Sequence, residues 1–446
     1  MEGLLVFTMS KPFFMRYTFL FLLISTSLVA QKNITAASDA TAPLHALQPD
    51  YPTRYGAASV QEVQTVLDRV FTYLDVGTPK QFVNKSTGVV WSPGQPFEDQ
   101  TVFSKGDFRP ISYEWGVTYS GMLELSRITG SPKYKDYVFN RLNLIASAIP
   151  AAQKNESKHV LHGLIHPRAL DDIGAMGMAV IKAKKAGFTT DMSFVTKRAS
   201  DFILKEEHRL PDRTLVRIRP LHHTMWLDDV YMAIPALLQL GEHEEAVFQF
   251  NAYRKRMFNP NLNIYMHGYL VDAEEHPEFH WARANGWALL TTCEMLEFLP
   301  ANHPARPDIL KQLKLHLKGL MSYQDGTGFW HQLIDKNDSY LETSATAIYT
   351  YVMAKGINMG WLDPKTYGPA ALLGWNAVAA RVNEKGHVEG TCVGTGLAWD
   401  PAFYYHRPIS PFAAHGYGPV LLAGSAIMEL VKTKNYQIND SAVHLK

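Results

Sequence analysis

Apolar residues recur at helical spacing through most of the chain. Side chains three and four positions apart share one face of a helix, so this spacing predicts α-helices rather than strands. Strand-like patterns are confined to short runs such as 214–218 and 329–334. The twelve predicted helices lie at 60–74, 112–128, 133–148, 171–186, 191–204, 227–240, 242–257, 284–299, 306–323, 343–355, 364–382 and 419–434.

The predicted helices fall into two alternating sets. One set is rich in small apolar residues and apolar nearly all round, as at 174–179, which indicates burial on both sides. The other set carries charge on one face, as at 242–246, and is expected to face solvent. Inner and outer helices that alternate six times predict an all-α fold, an (α/α)6 barrel of six inner and six outer helices. An open α-solenoid is the alternative.

Polar and aromatic motifs mark the starts of the inner helices. The first five recur about every 57 residues, a spacing typical of a repeated two-helix unit, and the sixth follows after a longer interval. In a closed ring the six motifs would converge at one end and form a cleft. They are Tyr113-Glu114-Trp115-Gly116, Leu170-Asp171-Asp172-Ile173-Gly174, Trp226-Leu227-Asp228-Asp229, Arg283-Ala284-Asn285-Gly286-Trp287, Leu341-Glu342-Thr343-Ser344 and His415-Gly416-Tyr417-Gly418.

Composition narrows the function. The 446 residues are 46% hydrophobic, and a formal net charge of +1 with interspersed signs argues against a nucleic-acid partner. Two cysteines form neither a disulfide framework nor a metal site, and Cys293 is expected to be a buried thiol. Nine Trp and 21 Tyr exceed what packing alone requires, and aromatic faces suit stacking on sugar rings.

The N-terminus has the pattern of a secretory signal. Lys11 and Arg16 precede a short apolar run at 19–30, so residues 1–30 are interpreted as a signal peptide that starts at Met1 or Met15. Residues 31–56 are expected to be a linker and 57–446 a single catalytic domain. The mature protein is expected to be exported, periplasmic or secreted, without stable membrane insertion.

Paired aspartates start two successive inner helices. Neighbouring helical residues point about 100° apart, so Asp228 and Asp229 cannot both face the barrel axis. One of them can cap the helix, and simple capping is the alternative to a catalytic role. The pair Asp171 and Asp172 occupies the equivalent place one unit earlier. Carboxylates that share a cavity can have their pKa values pushed apart, which favours acid–base chemistry.

Other candidate residues surround the fourth motif. Arg283 stands between Trp281 and Trp287, and a guanidinium fork suits bidentate binding of a carboxylate, although an ion pair with a barrel aspartate is the alternative. His267 lies in the preceding loop and could bind a sugar or be structural. The glycine-rich run 390–396 lacks the lysine of a phosphate loop. The residues His222, His223, Asp228 and His267 lack metal-ligand spacing, so no catalytic metal is expected.

Four of these motifs together resemble glycoside hydrolase family 105, the unsaturated rhamnogalacturonyl hydrolases and their unsaturated glucuronyl relatives. The resemblance runs from about Tyr113 to about Leu430, and Ala284 stands where the family usually has Gly. It implies the (α/α)6 barrel reached independently from the helix pattern. The motifs are Trp226-Leu227-Asp228-Asp229-Val230-Tyr231-Met232, Trp281-Ala282-Arg283-Ala284-Asn285-Gly286-Trp287, Tyr340-Leu341-Glu342-Thr343-Ser344-Ala345-Thr346-Ala347 and His415-Gly416-Tyr417-Gly418-Pro419.

The resemblance also implies an activity. Such enzymes remove the 4,5-unsaturated uronic acid that a polysaccharide lyase leaves at the non-reducing end of an oligosaccharide, here of rhamnogalacturonan or ulvan type. They hydrate the C4=C5 bond without a metal or organic cofactor. By motif, Asp228 is the catalytic acid and base and Asp172 the second catalytic residue, with the choice between Asp171 and Asp172 open. Substrate-binding positions are His267, Trp281, Arg283, Trp287 and Trp115.

Three alternatives remain open at this point. A family 88-like unsaturated glucuronidase acting on glycosaminoglycan fragments would share the fold and chemistry. A sugar epimerase on the same barrel would need histidine acid–base residues, for which His222, His223 and His415 are candidates. A non-catalytic glycan-binding protein would keep the aromatic residues but would not need paired aspartates. The expected partner is an unsaturated oligosaccharide, and the oligomeric state is left open.

Overall fold

Helices dominate the structure, a computed structural model that describes residues 40–41 and 50–446. The predicted signal peptide 1–30 and most of the predicted linker, 31–39 and 42–49, lie outside the described residues. Fourteen α-helices are present in the described part: α1 (Val60–Gly77), α2 (Tyr113–Thr129), α3 (Pro132–Ala152), α4 (His162–Ile165), α5 (Leu170–Lys185), α6 (Ser193–Asp201), α7 (Asp229–Leu240), α8 (His243–Met257), α9 (Ala282–Phe298), α10 (Arg306–Met321), α11 (Thr343–Asn358), α12 (Pro364–Ala380), α13 (Pro401–Tyr405) and α14 (Tyr417–Thr433).

Six of these helices form a closed inner ring. Each packs against the next in the order α2, α5, α7, α9, α11 and α14, and α14 packs back against α2. Outer helices α3, α6, α8, α10 and α12 pack on α2, α5, α7, α9 and α11, and α1 packs on α14. The fold is therefore the predicted (α/α)6 barrel, and all twelve predicted helices are present with ends that differ by a few residues.

Small residues let the inner helices approach closely. A side chain at Gly174 in α5 would place its Cβ only 1.6 Å from the carbonyl oxygen of Met232 in α7, so only glycine fits there. Left-handed glycines end two of the inner helices, Gly130 after α2 with φ 71° and Gly241 after α7 with φ 88°. None of the helices in residues 40–41 and 50–446 has the length and apolar character needed to span a membrane.

Short antiparallel ribbons connect the helices. The strands of the described part are β1 (Phe82–Asn84), β2 (Thr101–Phe103), β3 (Thr224–Trp226), β4 (Phe258–Asn259), β5 (Ile264–Tyr265), β6 (Gly268–Leu270), β7 (Trp330–His331), β8 (Leu341–Glu342), β9 (Tyr436–Asn439) and β10 (Ala442–Leu445). They pair as β1–β2, β3–β6, β4–β5, β7–β8 and β9–β10. The β3–β6 ribbon matters most, because it leads directly into the second aspartate doublet.

Candidate active site

The β3–β6 ribbon places Asp228 opposite His267 where the inner helices begin. Trp226 pairs with Gly268 in antiparallel register, and the Leu227 N–H donates to the carbonyl oxygen of His267 at 2.9 Å. At this end of the ribbon, Nε2 of His267 lies 3.2 Å from Oδ2 of Asp228. Asp228 directly precedes α7, where the positive end of the helix dipole stabilises a negative charge.

The imidazole of His267 is held in one orientation. It is completely buried, its Nδ1 lies 2.8 Å from the hydroxyl of Tyr404 in α13, and its ring packs on Trp281 with centroids 4.6 Å apart. A carboxylate can only accept, so Nε2–H of His267 donates to ionised Asp228. In the neutral ring, Nδ1 then accepts from the hydroxyl of Tyr404. The result is a fixed row of Tyr404, His267 and Asp228.

Asp228 is ionised in the free protein. Its side chain is 14% exposed, and burial alone would favour the neutral acid. Burial is the largest single influence, but the hydrogen bond from His267 and the charges of His267, Arg217 and Arg283 together outweigh it and lower the pKa of Asp228. A proton donor at this position must therefore gain its proton when substrate is bound.

Arg217 binds one aspartate from each doublet. Its Nε and Nη2 contact the Asp229 carboxylate at 2.6–3.0 Å, and its two Nη atoms contact Asp171 at 3.0 and 3.1 Å. Burial, together with the nearby charges of Asp171 and Asp228, raises the pKa of Asp229 despite the Arg217 contacts. The guanidinium fork thus occupies Asp171 and Asp229, and leaves Asp228 and Asp172 for other partners.

Asp172 caps α5. Its Oδ2 accepts from the backbone N–H groups of Arg168 at 2.8 Å and Ala169 at 3.2 Å, and it lies 3.3 Å from Arg219. The side chain is 31% exposed, so part of it remains accessible. This is the capping geometry of a carboxylate near a helix N-terminus. Asp171 and Asp172 both border the same cavity, and the assignment of the second catalytic carboxylate between them stays a prediction.

A cavity of about 790 Å³ adjoins the first doublet, Asp171 and Asp172. Its floor includes Tyr113 and Glu114 from the start of α2, together with Asp171 and Asp172. The walls come from the segments 102–109 and 158–164. This volume suits a ligand the size of an oligosaccharide end.

Tyr113, Glu114 and His415 form a buried cluster beside this cavity. The Tyr113 hydroxyl lies 2.6 Å from Nε2 of His415, and Oε1 of Glu114 lies 3.5 Å from the same nitrogen. Burial raises the pKa of Glu114 and lowers that of His415 well below its usual range. Oε2 of Glu114 and Nδ1 of His415 have no hydrogen-bond partner within the described residues. Each of the two groups therefore retains an unused polar atom.

Arg283 is buried and bound to the 392–393 backbone. Its Nη1 donates to the carbonyl oxygen of Cys392 at 2.6 Å, and its Nη2 donates to that of Val393 at 2.7 Å. The guanidinium carbon lies 4.6 Å above the Trp281 ring, and Nε has no partner within the described residues. Within the described part, Arg283 therefore does not form the ion pair with a barrel aspartate that was the alternative role. Its acidic neighbour is Glu342, at 3.8 Å. Carboxylate binding by Arg283 stays a prediction.

The three indoles at predicted substrate-binding positions, of which Trp281 and Trp287 were expected to stack on sugar, are buried, with exposures of 0–1%. Trp115 donates to Tyr137 in α3 at 3.1 Å and stacks on Phe108, so it lies between the inner and outer helices. Trp287 stacks on Tyr231 with centroids 5.2 Å apart, and Trp281 packs under His267. The expectation for these indoles is corrected, because a ring enclosed by protein offers no face to a ligand.

Sequence comparison decides the family. The model of Glycosyl Hydrolase Family 88 matches residues 92–431, which is more than half of the chain and includes all six inner helices except the last two residues of α14. The chain belongs to Glycosyl Hydrolase Family 88. A crystal structure of a possible GH105 family member from Salmonella enterica superposes on this family 88 chain with a TM-score of 0.66 at 20% identity, covering 89% of this chain and 98% of that one. This likeness confirms the barrel fold.

Two curated relatives are hydrolases of unsaturated sugars. The chain is 30% identical over 218 residues to the unsaturated rhamnogalacturonyl hydrolase YesR of Bacillus subtilis. The aligned region covers 47% of this chain and 60% of the relative. It is 26% identical over 223 residues to an unsaturated 3S-rhamnoglycuronyl hydrolase of Formosa agariphila, covering 46% and 58%. The chain thus spans about 60% of the length of these relatives. The family resemblance inferred from the motifs is confirmed.

Several site residues of this family 88 chain were missed from sequence. Arg217 and Tyr404 lie outside the helix-start motifs, and no periodic pattern marks them. Tyr113 and Glu114 stand in the first motif, beside the tryptophan that was the predicted binding residue. The histidine of the sixth motif, His415, was named for an epimerase, yet its neighbour is the tyrosine of the first motif. Because all six motifs were predicted to converge at one end of the ring, the sequence could have indicated that Tyr113 and His415 lie close together.

Proposed function

We propose that the protein removes a 4,5-unsaturated uronic acid from the non-reducing end of lyase-generated oligosaccharides. Asp228 carries this proposal, because it is the doublet member that Arg217 does not bind and it faces a fixed imidazole. The relatives named above act on unsaturated rhamnogalacturonyl and rhamnoglycuronyl groups, which supports an unsaturated uronyl substrate here.

The proposed reaction is hydration followed by ring opening. The Asp228 carboxyl gives its proton to C4 of the unsaturated ring, and water adds to C5 while the Asp228 carboxylate takes its proton. The hemiketal formed at C5 opens to a ketone, and the glycosidic bond at C1 then breaks to release the next sugar. Water oxygen ends on C5 and a solvent hydrogen on C4.

Substrate binding supplies the protonation that the free enzyme lacks. A uronate carboxylate that approaches Asp228 adds a like charge, and like charges raise a carboxyl pKa. The same carboxylate offsets the charges of Arg217 and Arg283, which lower the Asp228 pKa in the free protein. We therefore expect the pH at which kcat declines on the alkaline side to lie above the pH at which kcat/KM declines, because kcat reports the bound state.

Loss of the ultraviolet absorbance of the conjugated C4=C5 uronate, followed with rhamnogalacturonan, ulvan and glycosaminoglycan lyase digests, tests the activity. Activity confined to glycosaminoglycan fragments would favour the unsaturated glucuronidase alternative, and no activity on any digest would overturn the proposal. Reaction in D₂O should leave deuterium at C4. Labelled water oxygen at C1, without deuterium at C4, would indicate conventional glycosidase chemistry.

The cavity wall favours an anionic group near the scissile bond. Lys105, Arg109 and Lys158 line it, and none of the three forms an ion pair within residues 40–41 and 50–446. We expect a sulfate or carboxylate on the sugar that follows the uronate to lower KM relative to a neutral sugar. Matched oligosaccharides with and without that group, assayed on wild type and Lys158→Ala, test this expectation. An equal KM for both substrates on wild type would contradict it.

Export is part of the proposal, although residues 1–30 lie outside the described part. N-terminal sequencing of the protein recovered from culture fractions tests it. A mature N-terminus near Gln31 in an exported fraction is expected, and an intact N-terminus in the cytosolic fraction would contradict it.

A further inference from the structure

The β3–β6 ribbon carries an acid–imidazole pair at both of its ends. At one end Asp228 faces His267, as described above. At the other end the Val271 N–H donates to the carbonyl oxygen of His223 at 3.1 Å, and Nδ1 of His223 lies 2.8 Å from Oδ1 of Asp272. The second pair takes no part in the proposed chemistry, so its role needs a separate explanation.

A third side chain joins this second pair. The ring of His222 lies 4.0 Å from that of His223, and one ligand atom from each of His222, His223 and Asp272 lies within 4.8 Å of the others. His223 has a φ of 51°, a left-handed conformation that few residues other than glycine adopt. The turn therefore brings two adjacent imidazoles and a carboxylate together at one point.

We propose that His222, His223 and Asp272 bind one divalent transition-metal ion, zinc in the first instance. Two imidazoles and one carboxylate are a donor set that zinc accepts, whereas calcium and magnesium prefer all-oxygen sites. Tetrahedral zinc with bonds of about 2.1 Å needs donor atoms about 3.4 Å apart. Asp272 is 74% exposed and His222 is exposed, so both can move the short distance required.

A neighbouring ring supports the site. The imidazole of His208 stacks on His223 at 5.7 Å with an interplanar angle of 22°. This contact limits the rotation of the His223 ring. The fourth coordination position is then left to water, so the metal site is open on its solvent side.

The ion would fix the register of the ribbon. The ribbon has three residue pairs, Thr224 with Leu270, Met225 with Tyr269 and Trp226 with Gly268, and so short a ribbon is marginally stable by itself. A metal that joins His223 to Asp272 cross-links the two strands at the outer end. It would keep Asp228 opposite His267 at the inner end, on the order of 15 Å away. The metal is structural and does not touch substrate.

Zinc binding to the metal-stripped full-length protein tests the proposal without reference to catalysis. Titration calorimetry should show one ion per chain with micromolar or tighter affinity. His222→Gln, His223→Gln and Asp272→Asn should each weaken binding at least tenfold. His444→Gln, which replaces an exposed histidine on β10, should bind as wild type does. Wild-type affinity in all three ligand variants, or no binding by the wild type, would overturn the site.

Two measurements on the wild type remain decisive if a variant fails to fold. Zinc should slow carbethoxylation of His222 and His223, detected by mass spectrometry, and leave His444 unchanged. Zinc should also slow hydrogen exchange of the ribbon amides, including the Leu227 amide that binds the carbonyl of His267. Unchanged carbethoxylation would refute the site, and unchanged exchange would refute the cross-link. Both readouts are independent of whether the protein hydrolyses unsaturated uronates.

Discussion

Two glutamates on the same inner helix behave in opposite ways. Glu114 in the first turn of α2 is buried without a salt-bridged lysine or arginine in the described part, and burial raises its pKa. Glu124, further along α2, is also buried, but Arg127 at 2.9 Å and Lys355 at 3.4 Å outweigh burial and lower its pKa to about 2. Burial favours the neutral form of an acid, and neighbouring cations oppose that effect; at Glu124 two cations together outweigh it.

The two residues represent the two ends of the barrel. Carboxylates lie at the starts of α2, α5, α7 and α11, and basic residues lie in the last turns of α2, α5 and α11. This distribution matches the helix dipole, which stabilises anions at N-termini and cations at C-termini. At the C-terminal end the carboxylates have lysine partners, as Glu294 has Lys182. At the N-terminal end Asp228 forms no ion pair with a lysine or arginine of the described residues, and its side chain is hydrogen-bonded to the imidazole of His267.

Removing Asp228 should produce the largest effect. Asp228→Asn should fold normally and lose at least ~10²–10⁴-fold in kcat, because one group acts as both acid and base. Glu294→Gln, at the opposite end, should keep its kcat while losing stability. Steady-state kinetics and circular dichroism of both variants check the contrast. Near-native kcat in Asp228→Asn, together with an inactive Asp172→Asn, would show that the catalytic roles are misassigned.

One charge network is centred on Arg217 at the N-terminal end of the barrel, and the other on Lys355 at the C-terminal end. Breaking either network should destabilise the barrel, but only the loss of Arg217 should also reduce activity. Arg217→Met leaves buried Asp229 without its cation, whereas Lys355→Met removes the lysine beside Glu297 and one of the two cations beside Glu124, which keeps Arg127. Arg217→Met should lower the free energy of unfolding by about 3–5 kcal/mol, and Lys355→Met should lower it by less, because Arg127 remains. Urea unfolding measures this loss. Arg217→Met should also reduce kcat at a temperature where it is folded, and an unchanged kcat would remove Arg217 from the active site.

Arg283→Lys should have a smaller effect on catalysis. A lysine cannot reproduce the two hydrogen bonds to the Cys392 and Val393 carbonyls or a bidentate contact with a uronate, so kcat/KM should fall roughly ten- to a hundredfold. Initial rates on the preferred oligosaccharide measure the change, with Arg127→Lys at the opposite end as control. A folded variant with wild-type kinetics would leave Arg283 a purely structural residue.

The smallest effect, and the sharpest test of the comparison, concerns pH. The pKa of Glu114 is raised in the folded protein. Protonated Glu114 therefore contributes its whole stabilising effect below about pH 4.5, and this effect is lost as the pH rises. Glu114→Gln should therefore stabilise the protein more at pH 7 than at pH 4, because glutamine never pays the cost of a buried charge.

The lowered pKa of Glu124 gives the reverse sign. Its contribution is present above pH 4.5 and is lost as pH falls toward 2. Glu124→Gln should destabilise the protein at pH 7, and the difference from wild type should shrink as the pH is lowered. Unfolding free energies at several pH values measure both trends. Parallel profiles for the two variants would show that the ends of the barrel do not differ in this way.

Sequence patterns predicted the barrel because helical periodicity and small-residue content record which helices are buried on both sides. They also located the two aspartate doublets. They could not say which aspartate of each doublet is free, since that depends on Arg217, which lies in an irregular loop and reaches both doublets. The role of the tryptophans could not be predicted either, because an indole suits a protein core and a sugar site equally well.

Closure of the ring has a consequence for how the protein is made. Tyr113 and His415, hydrogen-bonded in the finished site, are separated by 302 positions along the chain. At 5–20 residues per second, a ribosome needs roughly 15 to 60 seconds to travel from one to the other. During that interval α2 and α11 lack α14, which packs against both. The apolar flanks of a five-helix ring are then exposed, so the nascent chain should depend on chaperones until its final inner helix emerges.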